Sequence, residues 1–539
     1  MAIPPGVNTR DWAAALKQFE DAVGSQWVFT SNEDIALYRD AYSVLWGEPE
    51  ERLASAAVAP DTVEQVQRIV RTANTYKIPL YPIATGRDLG YGGSAPVLSG
   101  SVVLDLKRMN RVVEVDETRH FAIVEPGVAY FDLYRYIQER KLKVWIDCPD
   151  PGWGSVIGNA LDHGVGYTYG AYRDHFAAHC GMEVVLPSGD LVRTGMGAMP
   201  NASTWGEYRY GFGPYVDGLF SQGNFGIVTK MGFHLFPPPE AYFAGTVTVP
   251  RREDIGPLIE VMNYLEHSGV TGQPNYSSPL ARLARDPELA AIASRPGGPS
   301  AEEVDRFAER RSVGSWSVEV QLYGAAKVIA AQWEFAKERF SAIRGARFTD
   351  GQSYRLPMTP DEEDKSHKVA FGIPNLAIFS GGARSEQNPS PRDGHVFFAP
   401  VLPKSGQAVL EAMRVFNPVL VDGGLPQMAN WFRGPQTWAF RTFVFLMSIP
   451  ISRSDREANK RVRDVMQRLI QVAAEHGWGE YRAAPAFQDA IMNTYSFNNN
   501  ALRRLHETLK DAVDPNGIVS AGRYGVWPKH LRETRGRRT

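Results

Sequence analysis

The sequence predicts an α+β protein of more than one domain, and three observations support this. Helical and strand patterns alternate within the first 140 residues, a glycine-rich loop joins two apolar segments, and three consecutive prolines interrupt the chain near residue 240. The chain has 539 residues, more than one ordinary hydrophobic core accommodates. We therefore expect at least two domains.

The first of these elements is a helix predicted from Asp61 to Ala73. Apolar residues recur there at helical spacing, and Asp61 and Glu64 are spaced like a capping box. A second unit follows further along the chain: residues 121–127 predict a strand and a turn, and residues 128–137 predict an aromatic-rich helix.

The glycine-rich loop TGRDLGYGG extends from Thr85 to Gly93, between strands predicted at 78–83 and 101–106. Its glycines lack a Cβ atom and adopt positive φ angles at little cost, so its amides could approach a phosphate closely. An ordinary glycine-rich turn explains the composition equally well. A Rossmann fingerprint or a Walker loop runs from a strand into a helix, whereas this loop runs into another strand. The flanks therefore disfavour NAD-type and P-loop folds and favour a different dinucleotide fold.

The second half of the chain begins where three prolines at 237–239 force an extended segment, which predicts a domain boundary near residue 240. Loops rich in Gly, Pro and Ser are predicted at 294–301 and 381–393. A helix is predicted at 462–473, with Gly477 as its stop. A last helix, before a turn at 514–517, places four apolar residues on one face: Leu502, Leu505, Leu509 and Val513.

Composition excludes several classes of protein. Hydrophobic residues make up 43% and charged residues 22%, as in soluble globular proteins. The net charge of −2 and the dispersed Lys and Arg residues argue against a nucleic-acid partner. Only Cys148 and Cys180 are present, which predicts a reducing compartment. No leader and no apolar run of about 18 residues is found, so we expect a cytoplasmic protein without a membrane segment. We also expect no metal site.

Eight blocks of the sequence together carry a family resemblance: GRDLGYGGSAP (86–96), EPGV (125–128), CPDPGWGSVIGNALDHGVGYT (148–168), MEVVLPSGDLVRTGMGAMP (182–200), YGFGPYVDGLFSQGNFGIVTKMG (210–232), GHVFFAP (394–400), GWGEYR (477–482) and DPNGIVSAGRYGVWP (514–528). In this combination the chain resembles the vanillyl-alcohol oxidase family of flavoproteins. The resemblance is near-continuous over residues 55–235 and 475–528.

The resemblance implies the two-domain FAD-binding fold of the vanillyl-alcohol oxidase (p-cresol methylhydroxylase-type) superfamily. Residues 1–240 and 481–539 would form the α+β domain that binds FAD. Residues 241–480 would form an α/β cap over the isoalloxazine ring. Association into a homodimer or a higher homo-oligomer is also implied by the family.

The family pattern assigns the cofactor contacts residue by residue. His395 matches the histidine that bonds covalently to the flavin, although a histidine beside an apolar strand is otherwise more often structural. The other residues implied to contact FAD are Thr85, Gly86, Arg87, Asp88, Leu89, Gly92, Gly93, Pro149, Ser155, Val156, Asn159, Gly164, Ile227 and Arg523.

Four residues match the catalytic positions of the family. Tyr91, Tyr481 and Arg482 match the clamp on the phenol oxygen; a phenolate releases hydride from its para side chain far more readily than a phenol does. Two phenolic donors and a guanidinium would stabilise that oxyanion. Asp150 matches the acid near flavin N5. Without the family, these residues would be interpreted as core tyrosines, a surface arginine and a turn-forming aspartate.

The implied reaction is oxidation of 4-alkylphenols, 4-allylphenols or 4-hydroxybenzylic alcohols. Hydride leaves the carbon next to the ring for the flavin, a para-quinone methide results, and O2 reoxidises the flavin with formation of H2O2. Asp150 would then act as a base toward water or toward the next side-chain carbon. Two rival hypotheses are a 4-cresol-type dehydrogenase that passes electrons to a cytochrome and a flavin-fold binding protein without turnover.

The chain also departs from the family pattern. The usual PDLG becomes PDPG at 149–152, and the expected GYTPYGDH becomes GYTYGAYRDH at 166–175. Ser43 stands where the fungal enzyme has a histidine thought to assist flavin attachment. The stretch NWFRGPQTWAF at 430–440 does not resemble the corresponding family block. The shape of the substrate pocket is therefore left open.

Overall fold

Helices and strands alternate along the chain in the computed structural model, which describes residues 3–535 except 169, 284–285, 294, 296–297, 378–392, 427–428 and 430–439. The strands are β1 Val28–Phe29, β2 Ala56–Val58, β3 Leu80–Ile83, β4 Val102–Asp105, β5 Val112–Asp116, β6 Phe121–Val124, β7 His179–Val185, β8 Leu191–Arg193, β9 Ile227–His234, β10 Ala241–Val249, β11 Asn275–Ser277, β12 Trp316–Gly324, β13 Arg347–Arg355, β14 Asp393–Phe398, β15 Val401–Pro403, β16 Thr442–Val444 and β17 Met447–Ser452. The α-helices are α1 Thr9–Val23, α2 Asn32–Ala36, α3 Val63–Tyr76, α4 Tyr130–Arg140, α5 Val156–Leu161, α6 Ile255–His267, α7 Pro287–Ala293, α8 Ala301–Arg311, α9 Ala326–Phe340, α10 Pro360–Lys365, α11 Gly406–Asp422, α12 Arg456–Glu475, α13 Gln488–Thr494, α14 Phe497–Val513 and α15 Lys529–Arg535.

The first sheet carries the glycine-rich loop and has the strand order β1-β2-β4-β3. β3 and β4 pair in parallel, with Leu80 opposite Val102, so the predicted strand, loop and strand are confirmed. Helices α1 and α3 pack against this sheet through a core that includes Phe19, Ile69 and Leu104. The loop thus begins at the carboxyl end of a strand that is buried except for Pro82, which is half-buried.

The predicted helix near residue 61 is confirmed as α3, but its capping box is wrong. The N-cap is Thr62, whose hydroxyl accepts a hydrogen bond from the amide of Gln65. The Gln65 side chain in turn accepts a hydrogen bond from the amide of Asp61. The helix therefore begins at Val63, and the acidic pair that the spacing indicated is replaced by a threonine and glutamine pair one residue later.

A second sheet is antiparallel and has the order β5-β6-β9-β7-β8. Helices α4 and α5 cover one face through Leu133, Ile137 and Val156, which are buried with residues of β6, β7 and β9. This confirms the strand at 121–127 and the helix that follows it. Helix α4 begins at Tyr130, two residues after the predicted start.

The three prolines at 237–239 lie between two different sheets. β9 precedes them in the five-stranded sheet, and β10 follows them in an antiparallel sheet of order β11-β12-β10-β13. Helices α6, α9, α11 and α12 share a hydrophobic core with this sheet and with β14, β16 and β17. The change of sheet at the prolines supports a boundary near residue 240, and the exact division into domains stays a prediction.

Two predicted helices lie in the second half of the chain. The helix at 462–473 is confirmed within α12, which ends at Glu475 just before Gly477, whose φ is +72°. The last helix is confirmed as α14, but its apolar face is not buried: Leu502 and Leu505 are exposed, and the buried residue of this helix is Lys510. The lysine donates to Asp514 and to two backbone carbonyls, which satisfies its charge.

The two predicted loops are only partly described. In the first, residues 298–300 form no helix or strand, and α8 begins at Ala301. Most of the second loop, predicted at 381–393, lies outside the described residues, as does the stretch 430–439. Strand β14 begins at Asp393, which was predicted to be the last residue of that loop. Cys148 and Cys180 are both buried and free of disulfides. In the described part of the chain no helix has the length and apolarity needed to cross a membrane.

Candidate active site

A cavity of about 310 Å³ brings together residues from separate parts of the chain. It lies where the glycine-rich loop, the segment before α5, strand β14 and the chain after α12 meet. Most of the residues singled out from the sequence line it: Thr85, Gly86, Arg87, Asp88, Leu89, Tyr91, Gly92, Gly93, Pro149, Asp150, Ser155, Asn159, Ile227, His395, Arg482 and Arg523. Its volume falls in the range of small-molecule and cofactor sites.

Three of the singled-out residues do not line the cavity. Val156 is buried in the core between α5 and the five-stranded sheet. Gly164 makes room for Asn159, because a Cβ atom at this glycine would overlap the Asn159 amide. Tyr481 is not among the lining residues, but its hydroxyl group contacts two of them, Tyr91 and Arg482.

The backbone of the glycine-rich loop suits a bound anion. The amides of Gly86, Arg87, Leu89 and Gly92 border the cavity and make no hydrogen bond within the described part of the chain. By contrast, the amides of Tyr91 and Gly93 are both held by the Asp88 carbonyl. Several unpaired amides beside one cavity are what a pyrophosphate requires, so the residues present fit the diphosphate of a dinucleotide.

Gly90 allows strand β14 to approach this loop. Its φ is +87°, and a Cβ atom there would meet the Phe397 ring at 2.8 Å and His395 at 3.0 Å. Only glycine combines this backbone conformation with so close an approach. The glycine therefore brings His395 and Phe397 to the cavity.

His395 is partly buried on β14 between two aromatic rings. The centre of its ring lies 4.9 Å from that of Tyr42 and 4.3 Å from that of Phe397, and both pairs pack edge to face. Desolvation lowers the pKa of His395 to about 4. The imidazole is therefore neutral at physiological pH and keeps a lone pair on one ring nitrogen, which a nucleophile requires.

Tyr91, Tyr481 and Arg482 form one hydrogen-bonded group. The Tyr91 and Tyr481 hydroxyl oxygens are 3.4 Å apart, and Arg482 Nη2 donates to the Tyr481 hydroxyl at 2.9 Å. The guanidinium carbon also lies 4.2 Å from the centre of the Tyr91 ring. Two phenolic hydroxyls and a guanidinium thus converge, as the sequence predicted.

The charge states of this group suit an anion. Burial raises the pKa of Tyr91, which keeps it a neutral donor. Burial opposes the charge on Arg482, but Tyr481, Tyr91 and two neighbouring carboxyl groups outweigh it and raise its pKa. Nε of Arg482 is buried and has no hydrogen-bond partner among the described residues. A buried cation with a free donor is a site for a negatively charged oxygen.

Backbone contacts hold Tyr481 and Arg482 in place. The Tyr481 amide donates to the Ala399 carbonyl just after β14, and the Gln222 side chain donates to the Tyr481 carbonyl at 2.7 Å. The Tyr91 ring stacks on Phe397 at 4.7 Å with an interplanar angle of 25°. β14 therefore orders both sides of the group.

Asp150 lines the same cavity on the segment before α5. Desolvation raises its pKa to about 6, and its Oδ1 atom is buried without a hydrogen-bond partner in the part of the chain that the structure describes. A carboxyl group with a pKa this close to neutrality, facing a cavity, is suited to proton transfer.

Sequence reasoning did not single out several residues of the cavity. Tyr42, Tyr167, Phe397 and Leu446 line it, and Tyr167 is electrostatically coupled to both Asp150 and Tyr481. Tyr167 and Phe397 lie inside the blocks that carry the resemblance, so treating every aromatic residue of those blocks as a candidate would have included them. Tyr42 and Leu446 carry no such signal.

The structure shows the contacts made at two of the departures from the family pattern. In the stretch 166–175, Arg173 is buried in an ion pair with Glu266, which also binds Lys404, so the altered stretch is anchored to α6. Ser43 accepts a hydrogen bond from the Leu45 amide, and its neighbour Tyr42 is the residue that contacts His395. Among the described residues, no group of His, Cys, Asp and Glu could hold a metal ion.

Comparison with known proteins agrees with this geometry. Residues 54–195 match the family model of an FAD binding domain. The chain is 31% identical to the flavoprotein subunit of 4-cresol dehydrogenase (hydroxylating) of Pseudomonas putida, and the match covers 97% of each chain.

Two solved structures are similar over nearly the whole chain. The 4-ethylphenol oxidase of Gulosibacter chungangensis, in its isoeugenol complex, is 34% identical with a TM-score of 0.82; the match covers 98% of this chain and 100% of that one. The p-cresol methylhydroxylase structure with substrate bound is 30% identical with a TM-score of 0.83, over 98% of this chain and 99% of that one.

Proposed function

The chain belongs to the vanillyl-alcohol oxidase and p-cresol methylhydroxylase family of flavoproteins, and on that basis we propose that it oxidises the side chain of para-substituted phenols with FAD. The observation that carries this proposal is the convergence of Tyr91, Tyr481 and Arg482 beside a cavity that Asp150 also lines. The substrate class is a phenol with an alkyl, allyl or hydroxymethyl group opposite its hydroxyl group.

The protein's own residues bind the phenol as its anion. Tyr91 and Tyr481 donate to the phenolate oxygen, and Arg482 supplies the positive charge. Hydrogen bonds to a charged group stabilise it by about 1.5–3 kcal/mol each, which offsets the cost of removing a proton from a phenol near pH 7. The negative charge spreads through the ring to the para carbon, and this labilises the hydride on the attached carbon.

Asp150 acts after the hydride has left. The substrate is then a para-quinone methide, and Asp150, which is ionised above pH 6 or so, accepts a proton from water as the water adds to the side-chain carbon. With a longer side chain it can instead accept a proton from the next carbon, which yields an alkene. Asp150 is thus the base of both routes.

The residues that would hold FAD come from both ends of the chain. The loop amides around Gly86 would bind the diphosphate, and Ser155, Ile227 and Arg523 line the same cavity. When bound, FAD supplies the hydride acceptor and passes the electrons to O2, giving H2O2. We propose that residues 1–240 and 481–539 form the FAD domain and residues 241–480 the cap, since of the cap residues only His395, Phe397 and Leu446 line the described cavity.

We propose that His395 bonds covalently to the flavin. It is neutral, lines the cavity and is fixed between two rings. Flavin should therefore stay with the wild-type polypeptide in acid precipitation, while His395→Ala should release all of it. His476→Ala, at the end of α12 and away from the cavity, is the matched control and should retain its flavin. Complete release of flavin from the wild-type protein would remove the covalent claim.

We propose O2 as the electron acceptor, because an oxidase of 34% identity matches over the whole chain. The function is tested with purified protein and a set of 4-alkylphenols under air. The expected result is oxygen consumption matched by H2O2 formation, with reoxidation by air within the turnover time. Reduction by the phenols without reoxidation by air would instead support a dehydrogenase that requires a cytochrome. No reduction by any phenol of the set would contradict the function itself.

We also propose that two copies of the chain associate through the loop 208–216. Tyr208, Tyr210, Phe212 and Tyr215 expose on the order of 500 Å² of aromatic surface, more than half of one side of a standard interface. The Tyr215 hydroxyl is held by buried His179 at 3.1 Å, so the loop is anchored. Light scattering should give twice the 59.8 kDa of one chain.

Two substitutions of exposed apolar residues test this interface. Phe212→Ser should lower the molar mass toward that of one chain, whereas Leu37→Ser, which removes an exposed leucine elsewhere, should not. A wild-type mass of one chain at micromolar concentration would contradict the proposed association.

A further inference from the structure

Two carboxyl groups lie near the guanidinium nitrogen of Arg482 that does not bond Tyr481. Asp88 Oδ1 lies 3.6 Å and Asp162 Oδ2 lies 3.8 Å from Arg482 Nη1. The side chains of Asp88 and Asp162 are also within hydrogen-bonding distance of each other. Sequence reasoning assigned Asp88 to the cofactor and did not single out Asp162.

The two carboxyl groups have different surroundings. Asp162 is buried and accepts hydrogen bonds from Arg523 Nη2 at 2.9 Å and from the Tyr524 hydroxyl at 2.6 Å. The side chain of Asp88 is 36% exposed, and it lines the internal cavity rather than the protein surface. Asp162 therefore has the donors that an ionised carboxylate requires, and Asp88 has none of them.

A hydrogen bond between two carboxyl groups requires one proton, because two carboxylates repel each other. Desolvation and the charge of Asp162 raise the pKa of Asp88. Burial opposes ionisation of Asp162, but Arg523 and Arg482 outweigh it and lower the pKa of this residue. The proton thus belongs on Asp88, which donates it to Asp162.

The charge of the cluster depends on that proton. With Asp88 neutral, the charges of Arg482 and Arg523 exceed that of Asp162 by one. If Asp88 were ionised, the two carboxylates would cancel the two guanidiniums and leave no positive charge for a phenolate. A carboxylate at Asp88 would also repel the diphosphate of the cofactor, which a neutral acid does not.

We propose that Asp88 and Asp162 share one proton and together position Arg482: Asp162 fixes its guanidinium, and the protonated Asp88 preserves the positive charge that binds the phenolate. This inference rests on the proposed function. Both aspartates are positioning residues, since they act through Arg482. The phenol releases its proton to solvent on binding, and the proton on Asp88 stays in place.

Among the described residues, five other titratable or charged groups face this pair of carboxyl groups. They are Arg482, Arg523, Tyr91, Tyr524 and His163, which interact electrostatically with Asp88 or Asp162. The pKa values of Tyr91 and Tyr524 are raised, and burial lowers that of His163. These three groups therefore keep their protonation states while Asp88, whose pKa is raised, titrates.

The test is the binding of 4-tert-butylphenol, which has no hydrogen on the carbon next to the ring and cannot be oxidised there. Calorimetry in buffers of different ionisation enthalpy gives both the dissociation constant and the protons released. Wild-type holoenzyme should release about one proton per phenol at pH 7, since a free phenol titrates near pH 10. Because binding releases a proton, its dissociation constant should fall as the pH increases. It should then level off, with proton release approaching zero, at the pH where Asp88 is ionised in the free protein and must take up a proton on binding.

The variants separate the roles of the two carboxyl groups. Asp88→Asn keeps a donor toward Asp162 but cannot ionise, so its dissociation constant should continue to fall with pH, with about one proton released, up to the pKa of the free phenol near 10. Asp162→Asn likewise leaves one carboxyl group beside Arg482. It removes the carboxylate that accepts hydrogen bonds from Arg523 and Tyr524, so the affinity for the phenol at pH 7 should fall about tenfold or more. Asp361→Asn, an exposed aspartate on α10, is the control and should keep the wild-type pH profile.

The outcomes distinguish this inference from the proposed function. If the wild-type protein binds the phenol with proton release but Asp88→Asn shows the same levelling-off, the shared proton is wrong while the function stands. A wild-type dissociation constant that falls without levelling off up to about pH 10 overturns the inference as well. If the wild-type protein binds no phenol, or binds it without proton release, the phenolate site itself is wrong.

Discussion

Replacement of Arg482 by alanine should slow the reduction of bound flavin by 4-ethylphenol by about tenfold to more than a hundredfold. The Arg482 side chain is 11% exposed, and its guanidinium donates to the Tyr481 hydroxyl at 2.9 Å. Loss of a charge-assisted contact of about 1.5–3 kcal/mol accounts for this range. Stopped-flow absorbance under anaerobic conditions measures the rate directly, free of any effect on reoxidation.

Matched variants show whether the charge or its geometry matters. Tyr91→Phe and Tyr481→Phe should each slow reduction by a smaller factor, because each removes one neutral donor. Arg482→Lys keeps the charge but not the planar fork, so it should lie between the wild type and the alanine variant. Arg468→Ala, on the exposed face of α12, is the control and should reduce at the wild-type rate. Wild-type reduction in Arg482→Ala would remove this residue from the clamp.

Replacement of Asp150 by asparagine should change both the rate and the products. The two side chains have the same size, but the amide cannot accept a proton. The quinone methide of 4-ethylphenol or 4-propylphenol should therefore lose its directed hydration. We expect hydration to become uncatalysed, so the alcohol should approach a racemic mixture, and the alkene, whose formation needs the same base, should decrease. Chiral chromatography of products formed in isotopically labelled water measures both changes.

The pH dependence of this product ratio follows from the burial of Asp150. Desolvation raises its pKa from 3.8 to about 6, so the carboxylate is present above that pH and is lost as the pH falls through it. Directed hydration by the wild-type protein should decline below about pH 6, and Asp150→Asn should show no such decline. An unchanged product ratio, enantiomeric excess and reduction rate in the variant would show that another residue is the base.

Sequence patterns predicted the local elements well where one face of an element is buried. The helix that begins at Val63 and the strand pair around the glycine-rich loop follow from apolar periodicity alone. The same periodicity failed at α14, where Leu502 and Leu505 face outward and Lys510 is buried. Periodicity locates an apolar face but does not say what covers it, and here buried Lys510 is satisfied by Asp514 one turn along the chain and by the carbonyls of Val519 and Asn224.

The site shows a similar limit. Motifs located Tyr91, Asp150, Tyr481 and Arg482, because each stands inside a block whose order is specific to the family. They did not indicate that Asp162 contacts Asp88 beside Arg482, since this cluster joins three segments through side-chain geometry. Residues such as Val156 and Gly164 stand within the same blocks, yet they support the site from behind its lining.

The most direct test of the phenolate account compares 4-ethylphenol with its methyl ether, 4-ethylanisole, in anaerobic reduction of the wild-type flavin. The two compounds share the reacting carbon and differ in whether the ring oxygen can ionise. The account predicts rapid reduction by the phenol and none by the ether, even at saturating concentrations. Reduction by the ether at a rate comparable to that of the phenol would contradict it.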